Sequence, residues 1–160
     1  MPKDHIGSLS QAGFVRSGVW QQAPLGIVTE NKEHSSRSNI PSNPGLYAFV
    51  VGKEIKYIGI AEKSLHVRLL GDYIGNQLKV RRGAKKRAVH MELFAALSRK
   101  ETVAVYTLMP KDAVGEPEND IKWKGLPVHL LFGLEAGLIR EFNPVWNCRG
   151  TRKVILEIPA

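Results

Sequence analysis

Two short β-rich runs, Leu46–Val51 and Ile55–Ile60, lie on either side of Gly52-Lys53. Val, Ile, Phe and Tyr suit a pleated, half-buried surface, and a tight connection containing glycine lets the second run fold back on the first. The pair predicts a β-hairpin. Pro44-Gly45 stands directly upstream and punctuates the start of the main domain.

Further elements follow from capping and periodicity. Ser64 suits the cap of a short helix from Leu65 to about Leu70. A second helix fits Lys85 to Ser98, where Val89, Leu93 and Leu97 repeat along one face. Thr102 to Met109 is β-branched and aromatic enough for a third, buried strand. Lys111 to Gly125 reads as a polar loop carrying Asp112, Glu116, Glu118, Asp120 and Trp123. Pro127 suits the first position of a last helix that runs to Phe142, before Pro144 stops it. The order β-β-α-α-β-α predicts an α+β domain over residues 44–160, a three-stranded antiparallel β-sheet flanked by helices. Residues 1–43 read as an N-terminal extension and linker, a specificity or dimerisation element. Their apolar pieces, Ala12–Val15 and Val19–Trp20, are too little for an independent core, and Thr29 to Asn43 is polar.

At 160 residues the chain has the size of one ordinary domain. No apolar run reaches signal-peptide or membrane-span length. Cys148 stands alone, which excludes an intrachain disulfide and fits a reducing, cytoplasmic compartment. One Cys and five scattered His match no zinc spacing. Charge is more informative. Lys and Arg number 23 against 15 acidic residues, a net +8 that favours a polyanionic partner. Without a basic amphipathic anchor, nucleic acid is preferred over a membrane. The excess gathers in Lys79, Arg81, Arg82, Lys85, Lys86 and Arg87, which Gly83 splits between a loop and a helix start. A charge run of this kind is either a solvated face or a grip on phosphate.

The last helix carries a carboxylate in an unusual setting. Projected at about 100° per residue, Val128, Leu131, Phe132, Leu134, Leu138, Ile139 and Phe142 fill one arc, and Glu135 lies near its middle. A carboxylate on an apolar stripe needs a partner: a buried Arg, or a hard cation at the edge of a cleft. The hairpin supplies two phenols, Tyr47 after Gly45-Leu46 and Tyr57 before Ile58-Gly59. Each glycine lets a backbone or a ligand approach closely. Arg68 projects outside the arc of Leu65, Leu69 and Leu70, where it meets either an anion or Asp72 one turn on. His66 projects into that arc and reads as a core histidine rather than a base.

In this order and spacing the residues resemble the GIY-YIG nuclease superfamily. GLY at 45–47 stands for the first motif and YIG at 57–59 is intact; Arg68, Glu135 and Asn147 follow, so the resemblance covers roughly residues 44–148. It implies a small α+β domain that hydrolyses DNA with one divalent ion, Mg²⁺ or a substitute such as Mn²⁺, held by Glu135. It also implies Tyr47 as general base and Arg68 as stabiliser of the phosphate charge. Tyr57 would help place phosphate and water, and Asn147 would fix the local geometry. Arg68 and the metal would favour ionised Tyr47. Many members carry Tyr or His four residues after the arginine; here that position is Asp72, and Tyr73 comes one later.

The expectation is therefore a metal-dependent DNA endonuclease, restriction-like or from a phage or mobile element, with the basic run on the DNA backbone. Two alternatives stand beside it: a nuclease for single-stranded, branched or RNA substrates, and a DNA-binding module of the same fold without catalysis. The segment from Ala12 to Trp20 and the 111–125 loop are where substrate choice could reside. Cutting both strands with one site per chain would call for a homodimer.

Overall fold

The computed structural model describes residues 5–22, 25–28, 40–73, 88–109, 122–127 and 130–147. Helix α1 (His5–Ala12) is followed by strands β1 (Val15–Gln22), β2 (Leu25–Val28), β3 (Gly45–Val51) and β4 (Glu54–Ala61). A π-helical turn (Val67–Asp72), helix α2 (Ala88–Ser98) and strand β5 (Val103–Leu108) come next. A small hairpin of β6 (Lys122–Trp123) and β7 (Leu126–Pro127) then leads to helix α3 (Leu130–Phe142).

The α+β class is as expected, and the predicted hairpin is β3 with β4. The sheet is wider than predicted, with five antiparallel strands in the order β2-β1-β5-β3-β4 rather than three. The two added strands come from the N-terminal segment. They are hard to read in the sequence because they give the core little beyond Trp20, Leu25 and Ile27, while Val15 and Val28 are exposed. β1 instead gains its place by pairing along β5 from Val15–Thr107 to Val19–Ala104.

Helices cover both faces of the sheet. Strict alternation along β3 sends Tyr47 and Phe49 to one face and Leu46, Ala48 and Val50 to the other. The first face packs on Leu65, Leu69 and Tyr73 and on Val89, Leu93, Ala96 and Leu97 of α2. The second packs on Leu9 of α1 and Leu131 of α3. Fully burying a side chain such as Phe49 or Ile58 contributes about 1.5–3 kcal/mol each. In β4 the register passes from Phe49–Tyr57 to Val50–Ile55, leaving Lys56 as the extra residue of a bulge. That bulge puts Ile55 and Ile58 on the same face while Tyr57 turns to the other.

Helix ends follow their chemistry. The Ser64 hydroxyl accepts the Val67 N–H at 3.2 Å, the predicted cap. Asn143 closes α3 in the left-handed region at φ 46°, its N–H on the Ile139 carbonyl at 2.8 Å, and Pro144 bars continuation. Three local expectations need correction. α3 begins at Leu130, not Pro127, because Pro127 is engaged as the strand partner of Lys122. Phe132 is 44% exposed, although the projection placed it with the core stripe. His66 is exposed because the buried positions of its helix are Leu65, Leu69 and Tyr73, which leaves it at the rim. No described helix is long and apolar enough to cross a membrane.

Candidate active site

Tyr47 sits near the middle of the sheet on the face covered by α2, and it is 3% exposed. Its cross-strand partner is Gly59, and that pairing explains the glycine. A Cβ at position 59 would stand 2.4 Å from Tyr47 Cζ and 2.5 Å from its hydroxyl. The YIG glycine therefore makes room for the phenol of the GLY motif. Gly45 is similarly filled, by the Leu108 carbonyl oxygen at 2.6 Å and by the Leu65 side chain. Both glycines thus admit the protein's own groups.

The Tyr47 hydroxyl lies 3.0 Å from that of Tyr73. Their rings meet edge to face at 6.0 Å, and Tyr57 lies 6.0 Å from Tyr47 on the neighbouring strand. Phe49 packs beneath all three, with centroids 5.4–5.8 Å away. Trp20 borders Tyr73 at 5.8 Å, and His90 of α2 stacks on it at 4.4 Å. Tyr73 reaches this position because the turn carrying Arg68 is π-helical.

Burial is the largest influence on Tyr47 and holds its phenol well above the ordinary tyrosine pKa. The Tyr57 charge and a hydrogen bond with Tyr57 push the same way, while the Tyr73 hydrogen bond and Arg68 pull down. Burial also raises Tyr73, followed by its two tyrosine neighbours, against a smaller downward pull from Arg68. Either hydroxyl of the pair can donate to the other. The expected action of Arg68 on Tyr47 is present, but the protein's own groups leave the phenol neutral at physiological pH.

Arg68 is paired with Asp72 at 3.3 Å, both side chains partly exposed at 31% and 49%. An i,i+4 pair in this setting contributes about 0.3–0.5 kcal/mol, and a guanidinium has donors beyond the one it uses there. Asn147 is 8% exposed and grips the strand that carries Tyr57. Its Oδ1 accepts the Ile58 N–H at 2.9 Å, and its Nδ2 donates to the Ile58 carbonyl at 2.8 Å. The Trp146 N–H adds a bond to the Lys56 carbonyl at 2.9 Å, so this segment covers the outer edge of the sheet.

Glu135 is half-buried on α3. Its helix neighbours Leu131, Leu134 and Leu138 join the core on the face opposite Tyr47, although α3 lies chiefly along β4, the strand of Tyr57. Tyr47, Tyr57 and Arg68 are thus brought together and Asn147 is tied to the Tyr57 strand, whereas Glu135 stands on a helix that packs on the opposite face of the sheet. Lys79, Arg81, Arg82, Lys85, Lys86 and Arg87 lie outside the described residues, as do Cys148 and residues 110–121. Among the described residues no three His, Cys, Asp or Glu side chains gather as a metal cage. A cation such as Mg²⁺, which keeps several waters and needs only one or two carboxylates plus phosphate oxygens, suits a single glutamate. Tyr73, Phe49, Trp20 and His90 carry no motif of their own; the only sequence signal was the offset between Arg68 and Tyr73.

Fold and site together define an α+β domain with a buried tyrosine cluster on one sheet face and an arginine at its rim. The chain has the fold of bacteriophage T4 EndoII, solved as a mutant: TM-score 0.59 and 16% identity, over 91% of this chain and 99% of that one. No family model and no curated protein sequence matches it.

Proposed function

We propose that the chain is a divalent-metal-dependent endonuclease hydrolysing DNA phosphodiester bonds, with a GIY-YIG-type centre built from Tyr47, Tyr57, Arg68, Tyr73, Glu135 and Asn147. The observation that carries this reading is the 3.0 Å contact between the Tyr47 and Tyr73 hydroxyls at the Arg68 helix. A buried pair of phenols beside a guanidinium is costly to assemble for packing alone, because buried hydroxyls must find partners. The EndoII-like fold and the net charge of +8 support it further.

In this mechanism Tyr47 releases its phenolic proton to solvent when a cation bound with the DNA adds its positive charge to that of Arg68, and the resulting phenolate accepts the proton of the attacking water. Tyr73, 3.0 Å away, can donate to the Tyr47 oxygen once that oxygen is ionised, which favours the phenolate. Arg68 presents its planar fork to the phosphate oxygens, on which negative charge grows. Tyr57 orients phosphate and water, and Asn147 keeps its strand in register through Ile58. Glu135 would hold the cation, whose charge offsets the phosphate and lowers the pKa of bound water. The basic run from Lys79 to Arg87 would grip the backbone without reading sequence. Cleavage of both strands would use a homodimer, with the cytoplasm as its setting.

The test is incubation with supercoiled plasmid, with and without Mg²⁺, beside Glu135→Ala. Nicked or linear product only with metal, lost in a folded Glu135→Ala, supports the reading. A Glu135→Ala protein that melts early yet still cuts would make Glu135 structural.

A further inference from the structure

The hairpin β6–β7 has no use in the mechanism above, yet it is built to present two apolar side chains. Trp123 and Leu126 are direct cross-strand partners, and each is 60% exposed. The turn between them, Lys124-Gly125, has both residues at positive φ, 50° and 78°. Those values match the tight hairpin turn whose twist suits two strands, so the tip is a defined projection. Lys124 costs conformational energy there that an Asn would largely avoid. What the lysine provides is charge: its Nζ lies 4.7 Å from the centroid of the Trp123 ring. Lys122 is exposed on the same hairpin, and residues 122–126 are all exposed.

An exposed indole with the Lys124 ammonium over its ring and Lys122 next in sequence fits a polyanion that also offers flat apolar faces. A nucleic acid does so wherever its bases are unstacked. We propose that the hairpin tip is a DNA-contacting element. Trp123 stacks on a base at an unpaired or opened step, Leu126 packs beside it, and Lys122 and Lys124 meet the flanking phosphates. This rests on the endonuclease reading and gives it a substrate preference, for DNA with locally unstacked bases over a uniform duplex.

The other two tryptophans are only 3% and 6% exposed, so Trp123 is the solvent-accessible reporter. The experiment titrates the full chain, in EDTA to prevent cleavage, with a uniform duplex and with the same duplex carrying a short unpaired bubble. Tryptophan emission, acrylamide quenching and anisotropy of labelled DNA are recorded, and plasmid cleavage in Mg²⁺ is run in parallel. The expected result is tighter binding to the bubble, with Trp123 emission quenched and shielded from acrylamide. Trp123→Ala should weaken bubble binding by about tenfold or more and erase the preference. Trp123→Phe should keep most of the affinity and lose the optical signal. Lys122→Ala and Lys124→Ala should each reduce the salt slope by close to one unit.

Cleavage with unchanged bubble affinity in Trp123→Ala would overturn the hairpin proposal and leave the nuclease reading standing. Quenching by DNA from a wild-type chain that cuts nothing would do the reverse. A chain that binds neither DNA overturns both. Trp123 already shielded in a DNA-free dimer would assign the patch to self-association and overturn the proposal.

Discussion

Tyr73 donates its backbone N–H to the carbonyl of Arg68, five residues back, where an α-helix would reach only four. The π-helical turn holds one residue more than an α-helical one, and it sets the Tyr73 hydroxyl 3.0 Å from that of Tyr47. Tyr73→Phe removes only that oxygen. It should cost about 1 kcal/mol of stability for the lost hydrogen bond. Cleavage should fall by about ten- to a hundredfold at unchanged DNA affinity, as single-turnover rates and binding titrations would show. Asp72→Ala, which removes only a surface pair, should stay within about threefold of wild type.

Gly59→Ala is expected to be severe for its size. The added methyl would meet the Tyr47 ring at 2.4–2.8 Å, and the ring is boxed in by Phe49 and Tyr73. Displacement of a packed ring costs about 1–3 kcal/mol, read as a lower urea midpoint. The same displacement moves the Tyr47 oxygen, so activity should fall further than stability does.

Asn147→Ala would leave the Ile58 N–H and carbonyl without their side-chain partner at the sheet edge. Leaving such groups unsatisfied costs about 1–3 kcal/mol each when water cannot reach them. Urea unfolding should show a loss in that range, and amide exchange at Ile58 should accelerate. Asn147→Asp keeps an acceptor for the N–H but no donor for the carbonyl, so it should fall between Ala and wild type. Wild-type exchange at Ile58 in the Ala variant would contradict this.

The raised pKa values of Tyr47 and Tyr73 fix a pH dependence. Both groups are neutral when folded and ionise above 10.0, the value they regain on unfolding. Below that pH neither state loses a proton, so their contribution is constant and fully present. Above it the unfolded chain releases protons that the folded chain retains, and stability falls as pH rises towards the folded pKa values. Urea midpoints from pH 8 to 11.5 should therefore decline more steeply above pH 10 in wild type than in a Tyr47→Phe/Tyr73→Phe double variant.

Much of this was legible because the informative positions sit on strongly patterned elements. The β3–β4 hairpin, the Ser64 cap and the end of α3 at Pro144 each rest on local chemistry that tertiary packing did not override. Strands β1 and β2 were illegible because pairing with β5, rather than an apolar alternation of their own, holds them. At the site the tyrosines and Arg68 could be read from order and spacing, but not the Tyr47–Tyr73 contact. That contact depends on helix type, which Val67–Asp72 does not announce. The neutral state of Tyr47 was also hidden, since spacing gave the nearby cation but not the depth of burial that outweighs it.

The proposed endonuclease chemistry stands or falls with the Tyr47 hydroxyl. The most direct measurement is the single-turnover cleavage rate of Tyr47→Phe in Mg²⁺, on a DNA whose affinity for the variant is measured in parallel. A positioned general base contributes about 10²–10⁴-fold, so a loss of that size is expected with the dissociation constant unchanged. A Tyr47→Phe protein that cuts within a few-fold of wild type would contradict it.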